Sequence, residues 1–179
     1  MYKRQPHGTV RLIRNHEDRN PAGAGTVPLD PNAYDPKAGG GTSTADYDPH
    51  TRTLVRDFIS LSGSQVNCAG GYGLHRKSWL TGEEIVWGPE FNGFGERHGY
   101  VFEVPRRRGP GHSDGQPLKT MGRFMHEALA TDEHSGIVYE TEDPGSGRGA
   151  GFYRFLPRDP HHLRKGCLLY TSPSPRDRS

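Results

Sequence analysis

Two stretches of this chain repeat each other, and the repeat constrains the architecture more than any other feature. W-L-T-G-E-E at 79–84, followed by H-G-Y-V-F-E-V-P at 98–105, matches V-Y-E-T-E-D at 138–143, followed by A-G-F-Y-R-F-L-P at 150–157. The closing prolines, Pro105 and Pro157, stand 52 residues apart. A period of about 40 to 50 residues built from short strands is the pattern of propeller blades. Composition agrees: 25 Gly and 15 Pro stand against a hydrophobic fraction of 31%, which suits short strands joined by tight turns and leaves almost no helix signal. Strands are expected at 42–47, 53–58, 78–83, 100–103, 124–131, 137–141 and 152–155, with D-P-H-T-R and D-E-H-S-G as hairpin turns. A further strand-like segment, T-V-R-L-I-R-N-H-E, ends in His16 and Glu17, and residues 18–37, rich in Asn, Pro, Gly and Asp, read as a loop. The expected fold is all-β, an incomplete β-propeller of about two blades and part of another, too few to close a ring.

The chemistry concentrates in residues 60–84, S-L-S-G-S-Q-V-N-C-A-G-G-Y-G-L-H-R-K-S-W-L-T-G-E-E. Cys68 sits in a glycine-rich segment read as a turn, and the apolar run after the basic loop ends in Glu83 and Glu84. A thiolate is a soft ligand and carboxylates are hard ones, so one cavity with both suits iron, with calcium beside it. The plain reading of a lone Cys in such a segment is a small buried hydrophobe. Adjacent strand residues point to opposite faces, so one of Glu83 and Glu84 is expected to face a metal, and Glu84 is preferred. Glu127 lies in H-E-A, and Glu142 with Asp143 ends the equivalent strand of the second repeat. In a propeller such positions converge on one channel, where carboxylates repel unless cations are present. His126-Glu127 lacks the second histidine of a zinc-protease helix, since position 130 is Ala130. G-S-G-R-G-A at 145–150 precedes strand-like sequence, which excludes a dinucleotide loop. The arginine run at 106–108 reads as a solvated loop between strands.

The N-C-A-G-G segment followed by W-L-T-x-E-E resembles the PhoX-type alkaline phosphatase family. R-N-H-E at 14–17, G-G-G-T-S-T at 39–44, H-G-Y-V-F-E-V at 98–104, G-R-F-M-H-E-A at 122–128, G-I-V-Y-E-T-E-D at 136–143 and G-F-Y-R-F at 151–155 follow in the family's order. The resemblance implies a calcium- and iron-dependent phosphomonoesterase on a β-propeller, exported folded by the twin-arginine route to the periplasm or the exterior. It implies that Cys68 ligates iron, that Glu84 or its neighbour Glu83 and Glu127 are further ligands, and that Glu17 and Glu142 belong to the calcium shell. Metals would bind the phosphoryl group and position the nucleophile, so no serine or histidine nucleophile is required. Many relatives carry Cys where this chain has Gly82. Basic phosphate-binding residues are expected beyond residue 166, which makes this fragment inactive alone. A second class of reading is a non-catalytic calcium-binding propeller used as a scaffold. A third, a lactone-cleaving propeller, is disfavoured by Cys68.

Both ends are read apart from the fold. C-L-L-Y-T-S-P-S-P-R-D at 167–177 resembles the translation of a sequencing-library transposon adaptor, and M-Y-K-R-Q at 1–5 resembles the opposite adaptor. The divisions are thus 1–5, 6–166 and 167–179, with both tails expected to stay unpacked. Setting aside four of the 23 basic and one of the 21 acidic residues turns the formal charge of +2 into −1, so nothing points to nucleic acid. Cys68 then has no intrachain disulfide partner. No apolar run reaches the roughly 18 residues of a membrane span. The expected partner is a small phosphate ester, and the expected state is monomeric.

Overall fold

The computed structural model describes residues 2–4, 8–106, 113–145, 149–159 and 161–171. Among them, eleven strands form three antiparallel sheets, none of them closed. The first sheet runs β1 (Tyr2–Arg4), β2 (Val10–His16), β3 (Gly40–Asp48) and β4 (Thr53–Ser64) in chain order. The second is β5 (Asn67–Tyr72), β6 (Ser78–Glu83) and β7 (Val101–Pro105). The third is β8 (His126–Thr131), β9 (Val138–Glu142), β10 (Phe152–Asp159) and β11 (His162–Tyr170). Among the described residues, helix is limited to one turn, α1 (Pro89–Asn92), to 3-10 turns at Leu74–Arg76 and Lys119–Met121, and to Gly8. No helix among the described residues is long and apolar enough to cross a membrane. The all-β expectation therefore holds. Arg107 and Arg108 of the basic run lie outside the described residues.

Two apolar layers hold the sheets together. Ile13 and Leu61 from the first sheet meet Phe102 and Val104 of β7. Leu80 and Val101 of the second sheet meet Leu129, Val138 and Phe155 of the third. The inward residues come from strand alternation, which puts every second side chain on the packed face.

The N-C-A-G-G segment is not a turn but most of strand β5. A Cβ at Gly70 would lie 2.0 Å from the Leu80 carbonyl oxygen, and one at Gly71 would lie 2.0 Å from that of Leu129. These glycines let β5 approach β6 on one side and β8 on the other, a use of strand glycine that imitates a turn signal in sequence.

The expectation of unpacked tails also fails. Tyr2 to Arg4 pairs with β2, and β11 continues through Cys167 and Leu168 to Tyr170, opposite Tyr153. Leu168 packs against the apolar layer. A sheet edge offers unpaired N–H and C=O groups to any extended segment. Such pairing runs through the backbone and says nothing about where the end residues come from.

The repeat is visible in the backbone. Glu83 N–H donates to Tyr100 O and Glu84 N–H to Val66 O; Glu142 N–H donates to Gly151 O and Asp143 N–H to Met125 O. In each unit, consecutive amides at the end of the second strand bond to opposite neighbours.

One buried charge network ties the 18–37 loop to this framework. His98 is fully buried, with Nδ1 2.6 Å from Glu83 Oε1 and Nε2 3.1 Å from Asp35 Oδ2. Asp35 also accepts from the amides of Lys37, Gly95 and Glu96. Burial opposes a charge on His98, but the two carboxylates outweigh it and its pKa is raised. A raised histidine contributes stability that is complete below its unfolded value, about 6.5, and is lost as pH rises through the folded value. His98→Gln should therefore cost about 3–5 kcal/mol in denaturant unfolding at pH 6, because it strands two buried carboxylates. The parent chain should lose stability as pH rises above about 6.5, and the variant should lack this decline.

Candidate metal centre

Two β-bulges and two strand ends assemble the site. Asn67 pairs with Glu83, and the register then jumps before Gly70; His126 pairs with Glu142, and the register jumps before Ala128. Cys68 and Glu127 are the second residues of those two first strands, where a bulge re-aims a side chain. Glu84 and Asp143 each directly follow the second strand of their sheet. Glu17, just past β2, is a fifth contributor. Ligating atoms of Glu17, Cys68 and Glu84 all lie within 4.8 Å of one another, and so do those of Glu84, Glu127 and Asp143. Cys68 Sγ is 3.8 and 3.9 Å from the two Glu127 oxygens.

The surroundings fix the geometry. Asn15 Nδ2 donates to the carbonyls of Cys68 and Ala69 at 3.2 and 3.0 Å, while Asn15 Oδ1 accepts from Trp79 Nε1 at 2.9 Å. The bulge that carries Cys68 is thereby tied to the end of β2. Val66, fully buried, has φ 45°, a conformation that costs a β-branched residue about 1–3 kcal/mol. It is held there because its N–H donates to Asp18 O and its carbonyl accepts from Glu84 N–H.

Electrostatically the cluster is short of positive charge. Among the described residues, only Glu17 of the five has an ion-pair partner, Arg19 at 3.2 Å. Burial, followed by the carboxylates of Glu127, Glu84 and Glu17, pushes the Cys68 thiol up to about 12. Burial also raises Glu84, and Glu127, Glu17 and Asp143 add to the rise against the opposing bond from Cys68. Without a cation the sulfur keeps its proton at neutral pH. A bound metal reverses this, since it needs the thiolate and carboxylates that these groups supply. One soft and three hard donors around the shared Glu84 carboxylate make a donor set that suits iron beside calcium.

The family model of the alkaline phosphatase PhoX matches residues 48–169. The chain belongs to the PhoX alkaline phosphatase family. No curated protein matches it. Four of the five clustered residues, Cys68, Glu84, Glu127 and Asp143, fall inside the PhoX match, and Glu17 precedes it.

Measured against the residues expected from sequence, the structure brings Cys68, Glu84, Glu127 and Glu17 together and leaves two out. Glu83 is fully buried, with Oε1 taken by Gln65 N–H and His98 and Oε2 by the amides of Gly99 and Tyr100. Glu142 accepts from Gly151 N–H and the Tyr153 hydroxyl. Asp143 occupies the place proposed for Glu142. The repeat carried that signal, because it aligns Asp143 with Glu84 and Glu142 with Glu83. Asn15 and His98 lie in the R-N-H-E and H-G-Y-V-F-E-V blocks, but the sequence does not indicate their roles, since their partners come from other strands and loops. His126 is fully buried, with Nδ1 3.2 Å from Glu140 Oε2 but without hydrogen-bond geometry. Burial pushes this histidine down to about 3 and Glu140 up to about 9, so both are neutral. A Cβ at Gly82 would lie 2.6 Å from His126 Cβ, so a cysteine there does not fit this packing without a shift.

A raised carboxyl destabilises the fold as pH climbs from its unfolded value through its folded one. Glu84→Gln should therefore stabilise the chelator-treated chain at pH 7.5, by up to about 1 kcal/mol, the scale of an exposed charge pair. The parent chain should melt higher with calcium than without it, and the same change should abolish that rise. A variant less stable than the parent without metal would show that Glu84 is not under like-charge repulsion.

Proposed function

We propose that the five clustered residues form part of the metal centre of a calcium- and iron-dependent phosphomonoesterase acting on small phosphate esters. The observation that carries this reading is the convergence of Cys68 with Glu17, Glu84, Glu127 and Asp143 in a chain of the PhoX family. Cys68 is the soft ligand, suited to iron. Glu84 belongs to both groups of close-set ligands and is placed to be shared between ions. Glu17, Glu127 and Asp143 are hard oxygen ligands suited to calcium. When bound, the metals supply positive charge for the phosphoryl oxygens and orient the nucleophile. The protein's own part is to hold thiolate and carboxylate at fixed spacing on bulged strands. An anionic phosphate is repelled by this cluster as long as its charge is uncompensated.

The same reading takes the three stacked meanders as successive blades of a propeller, with β5 and β8 innermost and their N-terminal ends at the channel. It includes export to the periplasm or exterior and a monomeric state. This chain alone is proposed to bind metal without turnover, because the cluster provides ligands whereas its one paired cation, Arg19, is engaged by Glu17.

Loading the chain with iron and calcium should give a thiolate-to-iron charge-transfer band, and p-nitrophenyl phosphate should remain unhydrolysed. Cys68→Ser should remove the band and leave the β circular dichroism unchanged, and Glu127→Gln should lower the metal content. The cysteine-to-serine change at the matching position of a catalytically complete homologue should reduce kcat/KM by at least about a hundredfold. A band that survives in Cys68→Ser, or full activity in the homologue variant, contradicts the assignment.

A further inference from the structure

A second constellation of metal-ligating side chains lies at the other end of the same strands. His75 sits in the 3-10 turn between β5 and β6, and His161 sits in the turn between β10 and β11. They are 86 residues apart in sequence, yet His75 Nε2 is 3.2 Å from His161 Nδ1, with ring centroids 5.2 Å apart and planes inclined by 33°. Both rings are exposed. Cys68 and Glu84 flank the opposite ends of β5 and β6. A six-residue strand at about 3.3 Å per residue puts roughly 20 Å between the two places, so the histidine pair is separate from the acidic cluster.

A hydrogen bond between exposed rings exchanges one made with water, and its net contribution is small. The spacing suits another use. Two nitrogens, each about 2.0–2.1 Å from one ion, lie about 3.3 Å apart at a tetrahedral angle and about 2.9 Å apart at a right angle. The observed 3.2 Å falls between these values. The backbone that carries each ring is tied within its own turn. Arg76 pairs with Glu133 and lies 5.1 Å from the centre of the Tyr72 ring, and the His161 amide donates to Asp159 at 2.9 Å. His75 and Arg76 both adopt left-handed φ, 53° and 51°, a conformation few non-glycine residues take. It turns the imidazole toward the neighbouring sheet.

We propose that His75 and His161 form a surface site for a borderline divalent transition-metal ion, with zinc the reference case, which clamps the β5–β6 turn to the β10–β11 turn. Imidazole ligands suit zinc, nickel and copper and do not suit calcium or magnesium. Water would fill the remaining positions because the site is open. The clamp joins the second sheet to the third at the end remote from the acidic cluster, so the ion acts on stability through binding to the folded state.

The test uses the full chain with Cys167→Ser, which removes an exposed thiol, and with Cys68→Ser and Glu84→Gln, which disable the acidic cluster. After chelation, zinc titrated by calorimetry should show one remaining site, and the melting temperature should rise with zinc but not with calcium. His161→Ala and His75→Asn should each weaken zinc binding at least about tenfold, since each removes one of two protein ligands. Asn is chosen because it tolerates the left-handed φ at position 75. Unchanged metal-free melting temperatures in both variants show that the loss is local. If either variant melts lower without metal, shifts of the ring protons of both His75 and His161 on zinc addition to the unmutated pair decide the question. Zinc bound equally by both histidine variants, no zinc bound in the starting background, or ring protons that do not move would overturn the proposal.

Discussion

Consecutive side chains of a strand point to opposite faces, and at the ends of β6 and β9 this separates two uses of the same residue type. Glu83 turns inward and becomes a fully buried acceptor for three amides and His98. Glu84, one residue on, faces Cys68 and the other carboxylates. In the next sheet Glu142 is taken up by Gly151 and Tyr153, and Asp143 joins the cluster. Each repeat thus spends one carboxylate on holding its own strand end and presents the other at the site. A slip of one residue would exchange the two roles, burying the ligand and exposing the brace.

The cluster works against the stability of the metal-free chain. Burial and like charges raise Glu84, the Cys68 thiol is held protonated, and Val66 sits in a strained conformation between Asp18 and Glu84. Stabilising contacts lie just behind it. His98 sits between Glu83 and Asp35, Asn15 braces the bulge, and two apolar layers lock the sheets. Strain and like-charge crowding gather where the chemistry is, as functional sites generally allow. The prolonged 18–37 loop follows the same logic, since it has no sheet of its own and is anchored through Asp18 and Asp35.

Much of the fold could be read from alternation and turn chemistry. Strands β3, β4, β6, β7, β8, β9 and β10 lie where hydrophobic alternation and turn residues place them. β5 escaped because Gly70 and Gly71 act through close backbone approach, which no sequence pattern distinguishes from a turn. The end strands escaped because edge pairing draws on backbone groups that carry no sequence signal, although β11 also buries Leu163 and packs Leu168 against the apolar layer. At the site, Cys68, Glu84 and Glu127 could be read from donor chemistry and the PhoX motifs. The expectation fell on Glu142, whereas the repeat pairs Asp143 with Glu84, and it is Asp143 that joins the cluster. His98 and Asn15 could not be found from sequence, because their roles exist only once strands distant in the chain have packed.

Everything functional in this account depends on metal held by the bulge cysteine and the strand-end carboxylates. The most direct measurement is an anomalous difference map collected at the iron edge from crystals of the chain grown with iron and calcium. The account predicts an iron peak within bonding distance of Cys68 Sγ, with Glu84 between it and a calcium position bounded by Glu127 and Asp143. Iron absent from Cys68 in crystals that contain it elsewhere, or no anomalous peak among Cys68 and the four carboxylates, would contradict the account.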